Sequence, residues 1–213
     1  MIDVTEHINA SRRQVGRRML EAGEARTVTI GQTYDATVEE LWDACTDAER
    51  IARWFLPISG DLRLGGRFQF EGNAGGTIER CDPPKSFATT WEFDGQTSWV
   101  EVRLTPEDDG RTRFELEHTA HVAEHWTEFG PGAVGIGWEM GLMGLRLHLS
   151  SGKAVDSAGF AAWSGSADGV RFITLSSDRW CEAAIAGGEN AADARAAADR
   201  TTAAYTAAPP QES

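Results

Sequence analysis

The chain has 213 residues, a hydrophobic fraction of 41% and eight tryptophans, enough for one domain of ordinary size with a sizeable core plus an extension. A formal net charge of −13 opposes the counterion release that drives nucleic-acid binding, and it disfavours anionic membrane surfaces, so nucleic acid is excluded as a partner. Three scattered cysteines without a CxxC pair give neither a disulfide framework nor a zinc-ribbon spacing. With no secretory pattern in MIDVTEHINA and no 18-residue apolar run, a reducing cytoplasm is the expected location and membrane insertion is not expected.

Residues 1–26 are polar and carry the basic stretch SRRQVGRR (Ser11 to Arg18), read as a solvated helix face or an arm packed on the domain. RTVTIGQTYDA then alternates Val28, Ile30 and Gln32 with Thr29, Gly31 and Thr33, the period of a strand. Thr37 with Glu40 forms a capping box for a helix whose Val38, Leu41, Trp42 and Cys45 share one face. Thr46 with Glu49 is the expected start of a second short helix carrying Ile51, Trp54 and Phe55, stopped by Pro57. From Gly60 to Thr119 the pattern changes to strands and turns, including GNAGG (Gly72 to Gly76), a hairpin turn. Phe68 and Phe70 share a face, as do Phe87, Thr89, Trp91 and Phe93. A hairpin through Pro106 to Gly110 sets Val100, Val102 and Leu104 beside Phe114, Leu116 and His118, with charged residues on the other side.

PGAVGIGWEMGLMGLRLHLSSG returns to a helical period, with Pro131 in its first turn. Trp138, Leu142, Leu145 and Leu149 make a stripe for the sheet. Met140, Met143 and Leu147 make a second stripe on nearly the opposite side, which the tail or another subunit must cover; a homodimer is one such cover. Residues 152–208 read as helices draped on the domain, anchored by Trp163, Trp180, Ile185 and Tyr205. The alanine-rich final helix starts at Asn190 with Asp193, and PPQES is expected to fray.

Three stretches, YDATVEELWDACTDAERIARWF, GGTIERCDPPKSFATTW and RTRFELEHTA followed by GW, GL and two leucines, resemble the SRPBCC or START-like superfamily. The branch they are most similar to holds bacterial proteins like the C-terminal domain of the activator of heat-shock-protein-90 ATPase. The resemblance spans roughly residues 27–150, leaving an arm (1–26) and a helical C-terminal extension (151–213) outside it. It implies an α+β helix-grip fold: a curved antiparallel sheet wrapped around the long helix, an apolar cavity between them, and two short helices closing one end. It implies a pocket but no mechanism, since members carry lipids, sterols or polyketides, some act as cyclases or hydrolases, and others regulate partners such as chaperones.

The densest patch of possible chemistry is EHTAHVAEHW, with His118, His121 and His125. On a helix the three would converge as metal ligands, but Phe114, Leu116 and His118 continue a strand, so His118 points inward while His121 and His125 belong to the outgoing loop. No metal and no cofactor is expected. Three roles stay open for His118: a core histidine bonded to a backbone carbonyl, a contact to a ligand, or an acid–base group lacking an identifiable carboxylate partner. The expected function is binding of a small hydrophobic molecule without converting it, with Trp54, Phe55, Phe68, Phe70, Trp91, Phe93, Phe114, His118, Trp138 and Leu142 as the ligand-binding set. A protein-interaction module and a cyclase or hydrolase using His118 are the alternatives.

Overall fold

The computed structural model describes residues 3–207, so the PPQES end, expected to fray, lies outside the described residues. Eight strands make one fully antiparallel sheet: β1 (Arg12–Leu20), β2 (Gly23–Tyr34), β3 (Ile58–Gly60), β4 (Arg67–Phe70), β5 (Gly75–Asp82), β6 (Ser86–Phe93), β7 (Gln96–Pro106) and β8 (Thr112–His121). Their order is β1-β2-β8-β7-β6-β5-β4-β3, so the chain leaves the sheet after β2 and returns at its far edge. That detour holds α2 (Val38–Thr46) and α3 (Ala48–Ile51), and the long helix α5 (Gly132–Ser151) crosses the concave face after the short α4 (Glu124–Phe129). This is the α+β helix grip.

The alternation read from the sequence fixes the register. Val28 and Val100 flank His118, and Ile30 and Val102 flank Leu116, so apolar rows line up across β2, β8 and β7 on one face. Glu101, Arg103, Glu115 and Glu117 fall on the other face, where Arg103 bridges Glu101 and Glu115. Against the inner rows α5 buries Ile136, Leu142 and Leu145, and the Tyr34 hydroxyl donates to the Leu142 carbonyl at 3.2 Å.

Of the two readings of the basic stretch, the solvated helix face fails: it is the edge strand β1, paired along its length with β2. Its arginines divide between the two faces as period 2 requires. Arg13 turns inward to Glu139 of α5, whereas Arg18 points outward to Glu117 at 2.8 Å. Before it, Asp3 caps α1 (Val4–Ala10), which buries Val4, His7 and Ile8.

Of the second stripe of α5, Met143 is buried beneath the extension, Met140 is half-buried and lines the outer cleft, and Leu147 is half-buried. Helix α7 (Ala167–Ala186) packs on α5, α1 and β1, and places Phe172, Ile173 and Trp180 in the same core cluster as Met143 and Ile8. Each such side chain contributes about 1.5–3 kcal/mol on full burial. Ile185, expected as an anchor, is exposed on the outer side of α7. The final helix α8 (Ala191–Thr206) packs through Ala194 and Ala198 against Cys181 and Ala184 of α7, a contact made by small residues instead of large anchors.

Candidate functional site

Two adjoining spaces lie between α5 and the sheet. The inner one, about 300 Å³, is walled by Phe68, Phe70, Phe87, Phe114 and Leu116 with Ile51 and Leu62. The outer one is an open cleft of about 1090 Å³ reaching from His118 and Ser98 to the end of the β6–β7 hairpin, α4 and the tail. Trp54, Phe55, Trp91 and Trp138 line both and form an aromatic partition between them. Phe55 stacks on Trp138 at 6.1 Å between centroids, Trp91 tilts against Trp138 at 4.9 Å, and Phe70 meets Phe55 edge-on at 5.1 Å. These separations suit aromatic pairs.

Local sequence explains how Trp54 and Phe55 reach this position. Asp47, one residue later than the expected Thr46, caps α3 by accepting the Arg50 N–H at 2.9 Å. The helix ends at Ile51, so Trp54 and Phe55 sit in the turn beyond it, and the Trp54 indole donates to the Ala44 carbonyl at 2.9 Å. Glycines of α5 admit that turn. A Cβ at Gly144 would collide with the Trp54 carbonyl oxygen, and one at Gly141 would lie 3.5 Å from the Phe55 ring. On the other side of α5, Gly135 leaves room for the Trp180 indole. The glycine-rich helix is thus a seat for close approach, on two sides.

His118 lies in a hydrogen-bonded chain. The Trp138 indole N–H donates to His118 Nδ1 at 3.0 Å, His118 Nε2 is 2.8 Å from Ser98 Oγ, and the Ser98 hydroxyl donates to the Trp91 carbonyl at 3.0 Å. An indole N–H only donates, so Nδ1 accepts and the neutral ring carries its proton on Nε2, pointed at Ser98. Burial pushes the His118 imidazole down to about 4, which keeps it neutral near pH 7. The ring is thus tied through Ser98 to a backbone carbonyl, and it also lines the outer cleft.

The structure divides the sequence-derived set. Phe68, Phe70 and Phe114 wall the inner cavity, His118 the outer cleft, and Trp54, Phe55, Trp91 and Trp138 both. Phe93, expected to look inward, is 56% exposed at the cleft rim because β6 ends there. Leu142 lines neither space, since its side of α5 is packed into the core. Ser98 was missed although legible, two residues before Val100 on the same strand face. His121 closes β8 with its ring edge-on to Trp99 at 5.6 Å, His125 lies in the first turn of α4, and both line the cleft. Among the described residues no group of three His, Cys, Asp or Glu side chains is placed to hold a metal. Val155 and Phe160, the latter in α6 (Ser157–Ser164), and Tyr205 of α8 complete the wall.

Residues 35–150, more than half of the chain, match the model of the "Activator of Hsp90 ATPase homolog 1-like protein" family. The chain belongs to this family. No curated protein matches it. Among solved structures, the crystal structure of CalU16 from Micromonospora echinospora is 38% identical, with a TM-score of 0.66, covering 83% of this chain and 99% of its own. The solution structure of CalU16 gives 39% identity, a TM-score of 0.68, and coverage of 84% and 97%. EF2215 from Enterococcus faecalis, a conserved protein of unknown function, shares the fold at 13% identity and a TM-score of 0.58, over 88% of this chain and 96% of its own. The CalU16 likeness extends well beyond the family segment, so it takes in residues outside 35–150.

Proposed function

We propose that the protein binds a small hydrophobic molecule between the sheet and α5 and does not convert it. The observation that carries this reading is the aromatic partition. Trp54, Phe55, Trp91 and Trp138 line both an open cleft of ligand size and a smaller apolar cavity behind it. The polar groups at the partition support binding without chemistry, because His118, Ser98 and the Trp138 indole are hydrogen-bonded in one chain. A hydrolase needs the histidine to take the serine proton, and here Nε2 already carries one.

Native mass spectrometry of the purified chain, before and after denaturation, tests the reading. A reproducible organic adduct released on unfolding is expected. A protein that stays bare after incubation with a panel of hydrophobic compounds, and turns over an acyl or glycosyl substrate, would overturn it.

A further inference from the structure

The charge of the cleft wall is unlike that of the rest of the chain. The protein carries 33 acidic and 20 basic residues, yet among the described residues lining the outer cleft there is no Asp or Glu, and Arg53 is the sole Lys or Arg. Arg53 follows α3 directly, next to Trp54, and among the described residues no carboxylate lies within ion-pair distance of it. Its backbone is anchored, because the Arg53 carbonyl accepts the Val155 N–H at 2.7 Å, tying the turn to the segment that leads into α6, while the side chain is exposed. An unpaired cation at the edge of an aromatic wall whose lining carries no carboxylate, in an acidic protein, suits a negative group.

We infer that the outer cleft takes a hydrophobic anion, with its apolar body against Trp54, Phe55 and Trp138 and its carboxylate, sulfonate or phosphate at Arg53. This deepens the binding proposal and rests on it. Coulomb attraction at an exposed guanidinium is modest, so the apolar wall supplies most of the affinity and Arg53 selects the charge. The net charge of −13 opposes docking on an anionic bilayer, which favours a freely diffusing molecule over a lipid headgroup in place.

Two dyes that share one ring system separate the terms: 1-anilinonaphthalene-8-sulfonate, which is anionic, and N-phenyl-1-naphthylamine, its neutral counterpart. Fluorescence titration of the full chain at low ionic strength should give roughly five-fold tighter binding of the sulfonate. Arg53→Gln should erase that advantage and leave the neutral dye unchanged. Arg111→Gln, an equal charge change on the distant β7–β8 hairpin, should leave both unchanged. If both dyes bind and their ratio is the same in Arg53→Gln as in the wild type, the anion inference is wrong and the binding proposal survives. If neither dye binds the wild type, both fall. Tighter binding to phosphatidylglycerol vesicles than to the free sulfonate would overturn the choice of a diffusing ligand.

Discussion

Two buried imidazoles make the stability of this protein depend on pH in a window that begins above the range of ordinary carboxylates. Burial pushes both His7 and His118 from 6.5 down to about 4; at His7 the Arg146 and Arg13 cations act in the same direction. A folded-state pKa below the unfolded one means that the unfolded chain binds more protons between the two values, so stability must rise with pH there. It is fully present above about 6.5, falls as the pH drops towards 4, and levels off below. Each histidine is worth up to about 3 kcal/mol across the whole window, and from pH 6 to pH 5 each removes about 1 kcal/mol. Urea unfolding followed by tryptophan fluorescence at pH 7, 6 and 5 should show a loss of about 2 kcal/mol over the last unit. The single variants His118→Gln and His7→Gln should each remove about half of that slope, and the double variant should nearly flatten it. A slope that persists unchanged in the double variant would refute the assignment, because the remaining groups would then be responsible.

The helix glycines give opposed expectations. Gly144→Ala should destabilise the chain by about 1–2 kcal/mol despite its better helix propensity, because the new methyl strikes the Trp54 carbonyl. Gly137→Ala, whose Cβ meets only the Tyr205 hydroxyl at 3.8 Å, should gain up to about 1 kcal/mol; chemical denaturation reads both. Arg13→Ala strands the fully buried Glu139 carboxylate, which also accepts from Ser176 at 2.6 Å, and should cost about 3–5 kcal/mol. The double variant Arg13→Met, Glu139→Met should recover most of that loss in the same measurement. Ending the chain at residue 151 uncovers Met143 and its neighbours, and light scattering should then show association; a monodisperse monomer would contradict the need for a cover.

The central part of the chain was legible because its periods are clean. Strand alternation from Val28 to His118 predicted the inner rows, and the capping box at Thr37 predicted α2, whose cap accepts the Glu40 N–H at 3.2 Å. Three features escaped for physical reasons. The basic stretch around Arg13 looked solvated because charge usually is, but Arg13 is paired with Glu139, and only the fold brings together residues so far apart in sequence. The helix α3 was drawn too long because Trp54 and Phe55 continue its apolar spacing, while their place is set by α5 glycines nearly ninety positions later. The cleft wall drawn from Val155 and Phe160 lies in a linker and a short helix whose composition carries no sign of a site.

The polar chain in the cleft bears on function more directly than the fold does. A helix grip serves carriers, enzymes and regulators alike, so architecture alone leaves the choice open. The donor-only indole of Trp138 narrows it. By occupying Nδ1 it sets the tautomer of His118, sends the remaining ring proton to Ser98, and passes the serine proton to the Trp91 carbonyl. Every proton in that chain has an acceptor inside the protein. The same three bonds tie the Trp138 indole and the Trp91 backbone together at the aromatic partition, so under the proposed function the histidine would act on a ligand through the shape of the wall. A His118→Gln variant should therefore alter hydrophobic-ligand affinity together with the packing of Trp138, whereas a general acid or base would lose turnover with affinity unchanged.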